Sequence, residues 1–414
     1  MIDNPFTTNT FRDIWFKSFG KSESRLQFEN LAGAEFYKNG FGIYVNSGKT
    51  HTKGMLYSLT DDINIKNNTL LIYDVPTFFK CPEHIPHKTL QVKKIKQYPG
   101  FLIELEAFDD LGDYLRKRFK KSSRYKLNKY KRRLDQCFDI QYKMYKGDVS
   151  EKRYLEIFGQ FKQLLEKRFA DKGEHNNNLD KQEWEFYKNV ARPLIKENRA
   201  GLFVIEAQGT PIAITLVYFS KHIIFDAITV FDIDYSKFHL GSINIMYLIE
   251  WGIANNYRTL DFSKGYFDYK ARWSTKKYDF EYHVLYNPRS IVSRTKAFFL
   301  TAFFKLKQYL RNQGMDKVAN KVLFTVKKRD RIVHNTGIKP NNPPFEDYKL
   351  EDSMDLIEID DHDSEIKKVL FDFLYLYNES FSDVNCFKHT KKQNQYIFIG
   401  KNTAKTILFP SYQN

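Results

Sequence analysis

Residues 202–231 confine the fold more tightly than any other stretch. LFVIEAQGTPIAITLVYF (202–219) is two apolar runs about a Gly-Thr-Pro turn, and HIIFDAITVF (222–231) adds a third run. Runs of this length, rich in β-branched and aromatic residues and punctuated by turn formers, predict a hairpin and a third strand. The loop DIDYSKFHLGS follows, then a helical run INIMYLIEWGIANN (243–256), a short strand TLDF (259–262) and the alternating YDFEYHVLY (278–286). Elements in this order specify an α/β (α+β) fold with mixed, mainly antiparallel sheets flanked by helices.

Upstream, LLIYDVP (70–76) and FLIELEAF (101–108) read as strands among Gly, Asn and Pro punctuation. RKRFKKSSRYKLNKYKRRLD (116–135) has eleven basic residues in twenty, with Leu115, Phe119, Leu127, Tyr130 and Leu134 at three- and four-residue intervals. Ser123 fills the gap in that stripe, and the pattern is a basic amphipathic helix broken near Ser122-Ser123. FDIQYKMYKG (138–147) is a strand. A long helix follows with Leu155, Phe158, Phe161, Leu165 and Phe169 on one face, then a polar loop (171–182) and a helix over 183–198. These boundaries give four parts. Residues 1–140 form an N-terminal unit ending in the basic helix, 141–290 the main α/β unit, 291–345 a basic helical segment and linker, and 346–414 a small α/β appendix.

At 414 residues, the chain exceeds one ordinary core, and 42% hydrophobic with 16% aromatic content supplies ample surface to bury. Cys81, Cys137 and Cys386 show no CxxC spacing, which fits a reducing compartment rather than a disulfide framework. Cys81, His84 and His87 in CPEHIPH have metal-like spacing but lack a fourth ligand, and DDHD (360–363) reads as a solvated turn; no metal is expected. The N-terminus lacks the layout of a signal peptide, and no stretch approaches the roughly 18 apolar residues needed to cross a bilayer. A cytoplasmic location, or one peripheral to the inner membrane face, is the expectation. The excess of Lys and Arg, 66 against 50 Asp and Glu, favours anionic partners.

Chemistry concentrates in two places. A helix opening after FHLGS presents unpaired amide N–H groups and partial positive charge, a seat for a pyrophosphate. Gly241 lets backbone approach a ligand, Ser242 is a candidate cap, and Lys237, His239 and Leu240 complete the phosphate-binding candidates. The second place is LDFSKGYFDYKARWST (260–275), where an acid, a glycine turn and a Tyr-Lys pair follow a strand.

The run FDxxYxxxxxG (Phe231, Asp232, Tyr235, Gly241), followed by LDFSKGYFDYKARWS, resembles the GNAT-type domain of bacterial cellulose and polysaccharide-biosynthesis acetyltransferases, relatives of the Fem aminoacyltransferases. The resemblance covers about 115–287, including RYKLNKYKRRL, LLEKRFADKG and the strands around GTPIA. It implies tandem GNAT folds, with residues 1–140 a degenerate first copy and 141–290 the acyltransferase domain, and acyl transfer to an amine from acyl-CoA (acetyl-CoA) or, in Fem relatives, from aminoacyl-tRNA. The loop departs from the usual Q/R-x-x-G-x-G/A pattern: with Gly241 as first glycine, Phe238 stands at the Gln/Arg position and Ile243 at the second glycine.

Acyl transfer needs a neutral nucleophile, an oxyanion stabiliser and a proton acceptor. Lys270 is the first choice of functional residue implied by the resemblance, with Asp261 to orient or deprotonate the acceptor and Asp226, a carboxylate within an apolar strand, as a candidate base. Arg168, Tyr269 and Trp273 are candidate substrate contacts. Each also has a plainer reading: a turn-bonding acid, a surface ion pair, packing aromatics, a solvated helix end. The leading function is an N-acyltransferase acting on a small amine or amino sugar in surface-polymer assembly. A Fem-like enzyme would lay tRNA on the basic helix 116–135. A non-enzymatic nucleic-acid or membrane binder is the third reading, the membrane version resting AFFLTAFFKLKQYL (297–310) in the interface, although this helix also suits docking on the sheet.

Overall fold

A computed structural model describes residues 3–60, 64–79, 89–313, 344–348, 354–357, 364–389 and 394–408. The Cys81-His84-His87 group, the DDHD run and most of the basic linker lie outside the described residues. α1 (Asn9–Ser18) precedes β1 (Arg25–Leu26), β2 (Leu31–Ala32), β3 (Phe36–Lys38), β4 (Tyr44–Asn46), β5 (Ser58–Leu59), β6 (Thr69–Pro76) and β7 (Gln91–Glu104). α2 (Leu111–Arg118) and α3 (Lys121–Cys137) lead into β8 (Ile140–Tyr145), α4 (Glu151–Lys172) and α5 (Lys181–Lys196). The expected hairpin is β9 (Ala200–Ala207) with β10 (Thr210–Phe219), followed by β11 (Ile223–Phe231) and α6 (Leu240–Ala254). β12 (Thr259–Lys264), α7 (Asp268–Trp273), β13 (Lys276–Tyr286) and α8 (Ile291–Asn312) complete this part.

Eleven strands join in one sheet, in the order β1-β3-β4-β6-β13-β7-β12-β11-β10-β9-β8. Its neighbours are antiparallel except β4 with β6 and β11 with β12. β13 does not follow β12 in the sheet. α7 carries the chain across, the Thr275 amide donates to Leu102 O at 2.9 Å, and β13 then inserts between β6 and β7. The first hundred residues and the central run thus share one sheet, stitched by β13 and by the β7–β12 pairing.

β9 is buried along its whole length and β10 from its second residue, which is why both read as unbroken apolar runs. Alternate residues feed two cores. Phe203, Ile205, Val217 and Phe219 pack with the α3 and α6 side, while Leu202, Val204, Leu216 and Tyr218 pack with the α1, α4, α5 and α8 side. Each large apolar side chain removed from water contributes about 1.5–3 kcal/mol.

Three local expectations need correction. The basic helix breaks at Phe119-Lys120, both extended, because Phe119 turns into the core 4.9 Å from the Trp273 ring. On α4, Leu155 faces solvent; the inward stripe is Tyr154, Ile157, Phe158, Phe161, Leu164 and Leu165. The strand at 101–108 ends at Glu104 and gives way to a 3-10 turn at Leu105–Ala107.

The appendix is a five-stranded sheet, β14 (Glu346–Asp347), β15 (Met354–Leu356), β16 (Asn385–His389), β17 (Gln395–Ile399) and β18 (Ala404–Leu408), with α9 (Ser364–Tyr377). α9 packs on the segment before α6: Phe371 lies 4.4 Å from Tyr235 and Tyr375 lies 5.2 Å from Phe238, ring to ring.

Candidate functional site

Parallel strands β11 and β12 share only three registered pairs, Ile223 with Thr259, Ile224 with Leu260 and Phe225 with Asp261. Past that level β11 goes on beside β10, and β12 stays with β7. The strands therefore part at Asp226 and Asp261. A cavity of about 400 Å3 is lined by Asp226, Thr229 and Phe231 of β11 and by Leu240, Gly241, Ser242, Asn244 and Ile245 of α6. Tyr235, Ser236 and His239 from the entry loop, Arg168 of α4, and Tyr269 and Trp273 of α7 close it.

α6 starts at Leu240, three residues ahead of the sequence expectation. Its cap position is His239, held at φ +53°, rather than Ser242, whose amide is already in the first turn and donates to His239 O at 2.8 Å. The His239 ring stacks on Tyr130 of α3 at 4.0 Å, and burial pushes its imidazole below its ordinary pKa. The first-turn amides of Leu240 and Gly241 have no intrahelical acceptor, so they and the helix dipole favour an anion at this wall. Gly241 sits close to an aromatic ring: a Cβ there would lie 3.0 Å from Phe231, which would have to give way by a few tenths of an ångström. The Arg168 guanidinium lies over that ring, 4.2 Å from the centroid and paired with no described carboxylate. Helix start, aromatic plate and cation make one wall.

The acids stand at irregularities of the sheet. β10 and β11 lose register between Val217–Asp226 and Leu216–Ile228, which leaves Ala227 as the extra residue. β12 and β7 lose register between Asp261 and Lys264, with Ser263 at φ +59°. β6 does the same against β13 near Asp74, at φ +64°. A bulge re-aims the side chains beside it, and here an aspartate stands at or next to each of the three.

Asp226 lines the cavity and accepts a 2.9 Å hydrogen bond from Thr229. Burial raises its pKa, opposed by the Thr229 bond and by the positive charges of Lys270 and Lys53. Asp261 is fully buried: Oδ1 accepts from the Tyr278 hydroxyl (2.7 Å) and the Ser263 amide (2.9 Å), while Oδ2 finds no partner among the described residues. Burial pushes this carboxyl up to about 7, although Tyr278, the Ser263 amide and Lys270 resist the shift. Lys270 is 7% exposed; its Nζ donates to Lys264 O at 2.9 Å and lies 5.2 Å from the Phe267 ring centroid. Burial lowers its pKa, against the pull of Asp226 and Asp261. Lys53 is driven down to about 8 by burial, reinforced by Lys264 and Lys270. Lys264 in turn holds Asp74.

The structure thus brings Asp226, Arg168, His239, Leu240, Gly241, Ser242, Tyr269 and Trp273 to one cavity. Trp273 is almost wholly buried, stacked parallel to Tyr114, so only an edge is offered. Lys270 and Asp261 are not among the lining residues; the Lys270 charge lowers the Asp226 pKa, and Asp226 in turn raises that of Asp261. Lys237 is not among them either. Its Nζ lies 3.3 Å from the buried Asp372 of α9, which draws it toward the appendix.

Sequence reasoning missed Lys53, Lys264, Asp74, Tyr278 and Gly100. Gly100 is what lets Tyr278 cross β7 to reach Asp261, since a Cβ there would sit 2.2 Å from the tyrosine ring. The available signals were the glycine within YPGF and a tyrosine opening an alternating strand. Neither names its partner. Among the described residues, no group of three or more His, Cys, Asp or Glu could hold a metal ion.

Residues 121–271 match the family model described as an acetyltransferase (GNAT) domain. No curated protein matches the sequence. Similar solved structures include the C-terminal domain (DUF2156) of a putative lysylphosphatidylglycerol synthetase from Agrobacterium fabrum, at 12% identity and TM-score 0.41, covering 63% of this chain and 83% of that one. A conserved protein of unknown function from Bacteroides thetaiotaomicron gives 10% identity and TM-score 0.42, covering 68% of this chain and 91% of that one. FemX gives 10% and 0.39, covering 60% and 83%.

Proposed function

We propose that the protein is an N-acyltransferase that seats a phosphorylated acyl donor, acyl-CoA, at the start of α6 and passes the acyl group to an amine deprotonated by Asp226. One observation carries this reading: a single cavity is lined both by the first turn of α6, with Arg168 beside it, and by the Asp226 carboxylate, whose pKa burial raises above its ordinary value. Anionic phosphates suit the amide wall. A base of raised pKa suits an amine that must lose its proton near neutral pH.

The amine nitrogen attacks the thioester carbonyl, the C–N bond forms, and the proton of the nitrogen passes to Asp226. Collapse of the tetrahedral adduct breaks the C–S bond and releases the thiolate. Tyr269, which lines the same cavity, is the candidate to return a proton to that sulfur. Lys270 and Lys53, charged and beneath the cavity, keep Asp226 from being neutralised altogether by its surroundings. The acceptor is a small amine, and an amino sugar of a surface polymer is the narrower form of this proposal.

A second reading, an aminoacyl-tRNA donor, draws on the exposed bases of α3, where Lys121, Lys126 and Arg132 face solvent on the helix that also carries Tyr130, the support of His239. Thermal unfolding with each donor separates them. Acetyl-CoA at 100 times its dissociation constant stabilises by about 2.7 kcal/mol in the first reading. In the second, tRNA stabilises instead, with an effect that collapses between low and moderate salt.

A further inference from the structure

The helix α8 has two faces, and only one is used by the fold. Ser293, Ala297 and Phe304 are buried against β6, β7 and β13: Thr69 Oγ1 donates to Ser293 O at 3.2 Å, and Phe304 stacks on Tyr282 at 3.9 Å. On the other side Phe298, Phe299, Phe303, Leu306, Tyr309 and Leu310 point outward, with the three phenylalanines 61%, 66% and 58% exposed. At about 100° per residue these six fall within an arc of roughly 140°, opposite the buried face. Isolated exposed apolar residues need no explanation, but six on one stripe do.

Charge says what covers them. The chain has no Asp or Glu from Tyr282 to Met315, and α8 carries Arg294, Lys296, Lys305, Lys307 and Arg311. By the same helical geometry Arg294 and Lys305 border one edge of the stripe, and Lys296 and Lys307 the other. An apolar stripe edged by bases on both sides is the layout of a helix lying in the plane of an anionic lipid surface. A second element extends the patch. Phe41, 83% exposed, precedes Gly42, whose carbonyl accepts from Lys296 Nζ at 3.0 Å. Among the described residues no helix is long and apolar enough to cross a membrane.

We propose that α8, with Phe41 beside it, docks the protein on a membrane containing anionic lipid. The last turn of α8 also leads back to the site. Arg311 lies 3.6 Å from the Tyr98 ring centroid, and Tyr98 packs 5.9 Å from Tyr266, which follows Gly265 in the hook before α7. The inference stands apart from the acyl-transfer reading and has its own readout.

The test is co-sedimentation of the full chain with phosphatidylcholine vesicles, with and without phosphatidylglycerol, alongside solution mass and thermal midpoint. The wild type is expected to bind the phosphatidylglycerol vesicles. Phe298→Asp with Phe303→Asp should weaken partitioning at least about tenfold at unchanged thermal midpoint, because both side chains are already in water. Arg294→Glu with Lys305→Glu should remove the preference for phosphatidylglycerol. Absence of wild-type binding overturns the proposal. So does a wild-type dimer that the Phe298 and Phe303 changes convert to monomer without any vesicle binding, which would make the stripe an interface between copies of the chain. An acetyl-CoA thermal shift, unaffected by these changes, keeps failure here separate from failure of the catalytic reading.

Discussion

The cavity has two supports of very different origin. The wall of β11, the entry loop and α6 comes from one stretch of sequence, residues 223–254, and needs only Arg168 from outside. The floor beneath it is assembled from Lys53, Asp74, Gly100, Asp261, Lys264, Lys270 and Tyr278, spread over more than half the chain and joined by the β7–β12 and β7–β13 pairings. The first support offers partial positive charge and space. The second offers buried charge with no direct opening, and its effect on chemistry passes through Asp226. A site divided this way can change its ligand at the wall while the floor keeps the base in tune.

The comparison breaks most sharply at Asp226, where wall and floor meet. Asp226→Asn should lower kcat by about 10²–10⁴ with donor affinity retained, measured by steady-state transfer and acetyl-CoA titration. A variant that turns over normally would remove Asp226 as the base.

The floor alone should govern a pH effect on stability. Burial holds the Asp261 carboxyl at about 7 in the folded chain against its ordinary 3.8. The folded state keeps a proton there that the unfolded chain has released, so stability falls as pH rises across that window, by at most about 4 kcal/mol. Asp261→Asn should flatten this slope in urea unfolding between pH 4 and pH 7. Tyr278→Phe removes a bond to the charged form, and should extend the slope to higher pH.

Gly100→Ala is the next largest. Its methyl group would meet the Tyr278 ring at 2.2 Å, and moving that ring should cost about 1–3 kcal/mol. Thermal unfolding checks it, and an unchanged midpoint would show that Tyr278 is not held as described.

The smallest effects sharpen the wall. Arg168→Ala should weaken donor binding about tenfold, since a charge-assisted contact to an anion contributes about 1.5–3 kcal/mol. Lys237→Ala should leave it unchanged, because Asp372 already engages that ammonium. Calorimetric titration of acetyl-CoA into both variants compares them directly.

What was legible in the sequence follows the same division. The hairpin, the third strand, the glycine loop and the helix after it are local patterns of apolar period and turn chemistry, and they could be read in order. The start of α6 was misplaced by three residues because Leu240 and Gly241 read as loop until His239 is seen to take the left-handed cap position. The insertion of β13 between β6 and β7 was not legible, since alternation in YDFEYHVLY shows a strand but not its neighbours. Bulges hid the floor: they break the period of two at the acids that matter, and the partners of Asp261 and Lys264 come from distant strands. Lys237 looked like a phosphate ligand because nothing near it in sequence reveals Asp372.

Amide hydrogen exchange across residues 238–243, with and without donor, bears most directly on the central claim. A phosphorylated donor seated on the first turn of α6 should slow exchange at Leu240, Gly241 and Ser242, and Gly241→Ala should reduce that protection. If neither acetyl-CoA nor an aminoacyl-tRNA slows exchange in this segment under conditions that saturate the protein, the donor binds elsewhere and the account fails.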